Sequence, residues 1–207
     1  MAKSMNILYT YKDHLYVNLT NRCPCRCEFC IRSNGDGLGS ADTLWLEHDP
    51  TIDEIKDAFS AYSLDDFSEL IFCGYGEPLE RLDTLLDICR FVRAQSGIKI
   101  RINTNGLADL IHSKPTAHLL EGLVDTVSVS LNTPTAEEYN AICHPKFGVQ
   151  SYDALIRFAQ DCKQYVPNVV LSVVDIIGPE KVAACQKVAD KAGIPLRVRE
   201  YQDDNTK

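Results

Sequence analysis

Six short apolar runs rich in β-branched residues recur along the 207 residues, at 15–19, 70–72, 98–102, 126–130, 169–174 and 196–199, with helical patterns filling the intervals. This alternation constrains the fold more than any other feature, because neighbouring parallel strands need a crossover and that crossover is right-handed. The spacing predicts helices over 52–62, 81–95, 113–121, 135–142 with 151–164, and 180–192. Thr51 with Glu54 makes a capping box, Glu137 and Glu138 suit the positive end of a helix, and Gly193 with Pro195 closes the last one. An eight-fold barrel takes about 250 residues. The expectation is therefore an α/β chain, a partial (β/α)6 TIM-like barrel with a parallel six-stranded sheet, in one domain spanning 1–207. Its chemistry should gather at the carboxyl ends of the strands.

Net charge is -8, which argues against general nucleic-acid binding, since such binding rests on basic side chains neutralising phosphates. Arg157, Lys163, Arg197 and Arg199 could form a local basic patch, with a solvated face as the simpler account. No apolar stretch approaches the ~20 residues of a membrane helix and no basic-then-apolar leader opens the chain, so a cytoplasmic protein with reduced cysteines is expected. Cys73 and Cys89 lie in apolar patterns as small core residues.

Four of the nine cysteines fall between Cys23 and Cys30, just after the first expected strand. Cys23, Cys27 and Cys30 have the spacing C-x3-C-x2-C, which offers three thiolates to a [4Fe-4S] cluster and leaves one iron open. Cys25 is the odd member, turned away from such a cluster or a spare ligand. A thioredoxin-like pair at Cys27 and Cys30, a zinc site, or free thiols are the competing readings, and none matches both spacing and placement.

The other strand ends carry further candidates. After the second comes Gly74-Tyr75-Gly76-Glu77-Pro78, where glycines permit close backbone approach and a carboxylate can pair with a cation. After the third comes Asn103-Thr104-Asn105-Gly106, which is also ordinary turn chemistry. Strand alternation places Ser128, Ser130 and Asn132 on one inward face, with Ser128 making a structural hydrogen bond. Arg197 and Arg199 share a face of the sixth strand, and an inward arginine could hold a carboxylate or phosphate. Cys143 beside His144 could act as hydrogen donor, methyl acceptor or base, against the simpler reading of a loop with a buried thiol.

With Phe29 before the third cysteine, the motif C-x3-C-x-aromatic-C resembles the signature of the radical SAM superfamily. The Tyr-Gly-Glu-Pro and Cys-His-Pro-Lys-Phe-Gly segments look most like the small TatD-linked radical SAM proteins. The resemblance implies cluster ligation by Cys23, Cys27 and Cys30, with S-adenosylmethionine on the open iron. It also implies cofactor contacts from Phe29, Tyr75, Gly76, Glu77, Asn105, Ser130 and Asn132, with Val174 or Ile176 against the adenine. By the same resemblance, the cluster cleaves S-adenosylmethionine to methionine and a 5′-deoxyadenosyl radical, which takes hydrogen from a small-molecule or protein substrate. A reducing partner such as flavodoxin or ferredoxin is expected. A glycyl-radical activating enzyme, and a non-catalytic electron carrier or zinc module, are the rivals.

Overall fold

In the computed structural model, which describes residues 3–33 and 37–201, the run expected to begin the sheet is its second strand. β1 (Leu8–Tyr11) and β2 (His14–Val17) form an antiparallel hairpin around Lys12 and Asp13, with Lys12 at φ 56°. The pairing is Leu8 to Val17 and Tyr9 to Tyr16, and the last two rings stack at 4.9 Å. The turn lacks the Asn-Gly or Asp-Gly that marks a tight hairpin in a sequence, and this hid β1.

From β2 onward the sheet is parallel and follows chain order through β3 (Glu69–Phe72), β4 (Lys99–Thr104), β5 (Thr126–Ser130), β6 (Asn168–Val174) and β7 (Leu196–Arg199). β7 does not pair back onto β1, so the barrel is partial. The six expected strands are all present, and the sheet has seven because of the hairpin.

Crossovers are made by α1 (Ile52–Phe59), α2 (Leu82–Arg93), α3 (Ala108–His112), α4 (Ala136–Cys143), α5 (Gln150–Cys162) and α6 (Pro179–Ala192). The Thr51 capping box forms, with Thr51 Oγ1 accepting from Glu54 N and Thr51 N donating to Glu54 Oε2. The helix expected over 113–121 is not there. Ser113 turns left-handed at φ 53°, Pro115 disfavours helix at Lys114, and Asp109 Oδ1 accepts from Thr116 N at 2.8 Å. What remains on either side is α3 and a 3₁₀ turn at Ala117–Leu120.

Parallel register sorts the strand residues onto two faces. Leu15, Val17, Leu70, Phe72, Ile100, Ile102, Val127, Val129, Leu171 and Val173 are fully buried in the core that also holds Leu85, Ile88 and Val92 of α2 and Leu155 and Phe158 of α5. The opposite face carries Tyr16, Ile71, Arg101, Asn103, Ser128, Ser130, Ser172, Val174, Arg197 and Arg199. Apolar burial therefore fixes which side of the sheet is left for polar groups. Arg101 ion-pairs with Glu69 on that inner face. No helix among the described residues is long and apolar enough to cross a membrane.

Candidate functional site

The cysteine loop leaves the carboxyl end of β2 and is held in place largely by main-chain groups. Arg26 N donates to Cys143 O at 2.9 Å, Glu28 N to Ile142 O at 3.1 Å, and Lys146 N to Pro24 O at 2.7 Å. The end of α4 and the turn after it thus clamp the loop from the far side of the sheet sequence. His144, left-handed at φ 44°, brings Nε2 to 3.2 Å from Glu28 Oε1 on the surface. The Cys143 thiol is instead buried, with Asn132 Nδ2 donating to its Sγ at 3.7 Å. Thiol and imidazole therefore diverge and do not form the pair that their adjacency suggested.

All nine cysteines are free thiols. Cys23, Cys27 and Cys30 are half-buried, whereas Cys25 is buried to 2% exposure with Sγ 3.9 Å from Tyr139 Oη. Asn105 Nδ2 donates to Cys23 Sγ at 3.8 Å. Hydrogen bonding from the Cys143 thiol first, and the Cys25 thiol next, holds the Cys27 thiol well below its usual range, and the positive charge of Arg32 adds to this. In return the Cys143 thiol is pushed up by that bond, and Cys25 by its bonds to Cys23 and Cys27. Burial pushes Cys30 up.

The turn after β3 packs on this loop. Glu77 N donates to Arg22 O at 2.8 Å, and a β-carbon at Gly76 would lie 2.2 Å from Thr20 O and 2.7 Å from Arg22 O. The close approach that requires glycine here is to the cysteine loop's own carbonyls. Those are main-chain atoms that cannot swing aside, so Gly76→Ala is expected to cost about 1–3 kcal/mol through overpacking. Thermal denaturation checks this, with an unchanged midpoint as the contrary result.

Glu77 is buried and ties two strand ends together: Oε1 accepts from Leu79 N at 3.0 Å and Thr104 Oγ1 at 2.7 Å, and Oε2 from Asn105 N at 2.7 Å. Burial outweighs these bonds and raises its carboxyl to about 7. Gly106, at φ +76° and with a would-be β-carbon 2.7 Å from Val129 Cγ1, completes the second turn.

A family model described as the radical SAM superfamily matches residues 17–191. The chain belongs to the radical SAM superfamily. Members of this superfamily are enzymes that use a [4Fe-4S] cluster and S-adenosylmethionine. The chain is 29% identical over 167 residues to a GTP 3′,8-cyclase of Lactiplantibacillus plantarum, covering 80% of this chain and 46% of the relative. To the tungsten-containing aldehyde ferredoxin oxidoreductase cofactor-modifying protein of Pyrococcus furiosus it is 26% identical, covering 78% and 43%. The chain thus spans less than half the length of these relatives. Streptococcus suis SuiB bound to S-adenosylmethionine shares the fold at TM-score 0.66 and 17% identity, over 93% of this chain and 41% of that one.

Within this radical SAM fold the remaining candidates divide. Phe29 packs partly buried against the main core. The Tyr75 ring is buried among Tyr9, Leu44 and Ala41, lies 5.2 Å from Trp45 edge-on, and its hydroxyl accepts from Gly37 N at 3.2 Å. Tyr75 therefore faces an aromatic cluster that the sequence reading missed, and what it offers the mouth is main chain. Ser130 and Ser128 face inward as expected, but the Ser128 hydroxyl makes no side-chain hydrogen bond among the described residues.

Alternation fails at Asn132. The strand stops at Ser130, Asn132 adopts φ 61°, and its Oδ1 is buried without a partner among the described residues. Val174 is buried on the inner face, whereas Ile176 is exposed. Cys89 is a core residue, but Cys73 belongs to the inner side, where burial pushes its thiol up and Asn103 and the charge of Arg199 act against that.

The donor set suits a soft, polynuclear iron site. It comprises three half-buried thiols on one loop, with an amide donor to Cys23 and a Cys27 thiol held below its usual range, which favours its anionic form. Among the described residues no three His, Cys, Asp or Glu side chains lie close enough to hold a single metal ion.

Proposed function

We propose that residues 1–207 act as one radical SAM core in which Cys23, Cys27 and Cys30 hold the cluster and the turns after β3, β4 and β5 hold S-adenosylmethionine. The observation that carries this reading is three half-buried free thiols on the loop after β2, in a chain that the superfamily model matches. When bound, the cluster at Cys23, Cys27 and Cys30 would supply one electron for reductive cleavage of S-adenosylmethionine, and with it radical chemistry able to remove a hydrogen atom from a substrate.

This chain's residues bind, orient and exclude water. Glu77 presents a carboxylate whose burial is relieved when a cation, the methionine ammonium, comes beside it. Asn105 spans both cofactors, with its amide on Cys23 and its main chain on Glu77. The unpartnered Oδ1 of Asn132 and the inward Ser130 hydroxyl offer acceptors and a donor for the ribose or the methionine carboxylate. Val174 supplies an apolar wall for adenine, Phe29 shields the cluster, and main-chain groups of Tyr75 and Gly76 line the ammonium side.

A cytoplasmic setting and a flavodoxin- or ferredoxin-type reductant suit the free thiols. No observation favours the activase, carrier or zinc readings, and the substrate of the cyclases is not carried over from relatives matched over less than half their length. Anaerobic reconstitution with iron and sulfide, then dithionite and S-adenosylmethionine, is expected to yield 5′-deoxyadenosine. An intact cluster spectrum with no such product would sink the reading.

A further inference from the structure

Five arginines of the described chain are half-buried: Arg32, Arg81, Arg93, Arg101 and Arg199. Four of them are matched. Arg32 donates to Cys25 O, Arg81 to Leu19 O and Pro50 O, Arg93 pairs with Asp125, and Arg101 with Glu69. Arg199 is not. Its Nε is buried without a hydrogen-bond partner, and the guanidinium makes no ion pair with any described residue.

A buried donor left unmade costs free energy, and a buried charge without a counter-charge costs more. In a chain with 29 acidic and 21 basic residues, a carboxylate partner would be easy to supply. The position is also particular. Arg199 is the last residue of β7, registers with Val174 at the end of β6, and shares the inner face with Ser172 and Arg197 one step back. The groups close enough to act on its charge are the inner-face thiol of Cys73 from β3 and the like charge of Arg197, with no carboxylate among them. Asp175, which follows β6, is engaged by Tyr201 N at 2.8 Å. Burial accordingly lowers the pKa of Arg199 from its ordinary value.

We propose that Arg199, supported by Arg197, anchors an oxyanion of the substrate, a carboxylate or phosphoryl group, at the β6–β7 side of the barrel mouth. A guanidinium fork matches either group with two parallel hydrogen bonds, and the buried Nε is the donor that such a ligand would satisfy. The ammonium and ribose candidates lie on the β3 to β5 turns, so the anion would enter from the β6–β7 side, next to Val174. This anchor deepens the radical SAM reading above, and the two fail separately. Anion binding is measured on the full chain without a cluster, and deoxyadenosine formation on the reconstituted protein.

The test titrates pyrophosphate and citrate, at constant ionic strength, into the wild-type chain and into Arg199→Gln, Arg199→Lys and Arg197→Gln, read by calorimetry. Wild type should bind one of the two probes at one site per chain, and which probe binds identifies the oxyanion. Arg199→Gln should weaken that binding at least tenfold, with Arg199→Lys between them because it keeps the charge and loses the fork. S-adenosylmethionine affinity of the reconstituted protein should stay within about twofold. Should Arg199→Gln not fold, Arg199→Lys and Arg197→Gln decide by the same loss. No binding of either probe to wild type, equal binding by the Arg199 variants, or an equal loss of S-adenosylmethionine affinity overturns the proposal.

Discussion

Cys23→Ala, Cys27→Ala and Cys30→Ala are each expected to fall from about four irons per chain after anaerobic reconstitution to less than half that, while Cys25→Ala keeps its iron. The reason lies in how the loop is built. Its shape depends on main-chain bonds to Ile142, Cys143 and Lys146, so removing one half-buried thiol takes away a ligand without unfolding its surroundings. Cys25 is different: it is buried beside Tyr139, and its loss removes a small packed group worth about 1 kcal/mol rather than a ligand. Iron and acid-labile sulfide analysis, with the thermal midpoint of the cluster-free chain as control, checks all four variants. Loss of iron in Cys25→Ala equal to that in Cys27→Ala would assign the fourth thiol to the cluster as well.

A second large effect concerns Glu77. Its carboxyl titrates at about 7 in the folded chain against 4.5 when unfolded, because burial opposes ionisation. A raised carboxylate pKa makes ionisation costly to the fold. The cost is absent below about 4.5, grows as pH rises to about 7, and is constant above it, where it reaches about 3 kcal/mol. The cofactor-free chain should therefore lose that much stability across this window, and Glu77→Gln should not show this loss.

Cofactor binding should run the opposite way. An ammonium group prefers the ionised carboxylate, so S-adenosylmethionine affinity should rise with pH toward 7 in the wild type. In Glu77→Gln it should be at least tenfold weaker and flat over the same range. Urea denaturation and equilibrium binding between pH 5 and 8 measure both slopes. A wild-type affinity indifferent to pH would remove Glu77 from the ammonium site.

How much of this was legible in the sequence follows the strength of local signals. The parallel strands were visible because their buried runs are continuous and β-branched, as in Ile98–Ile102 and Val169–Val174. The placement of the cysteine loop followed from strand order. β1 escaped because Lys12-Asp13 is an unmarked hairpin turn, and with it went the Tyr9, Tyr75 and Trp45 cluster, whose members are far apart in sequence. Period-two alternation located Ser130 but failed two residues later, where Asn132 leaves the strand for a left-handed turn. Cys73 looked apolar because its neighbours are, and only the register shows it on the polar face. The role of 142–146 depends on backbone pairing across more than a hundred residues, which no residue type announces.

That pairing bears on how such a chain can diverge. The three bonds that clamp the cysteine loop run between peptide groups: Arg26 N to Cys143 O, Glu28 N to Ile142 O and Lys146 N to Pro24 O. None of them reads the side chains of Arg26, Glu28 or Lys146. The surface charge around the loop is therefore free to be rewritten residue by residue while the scaffold beneath it keeps its shape.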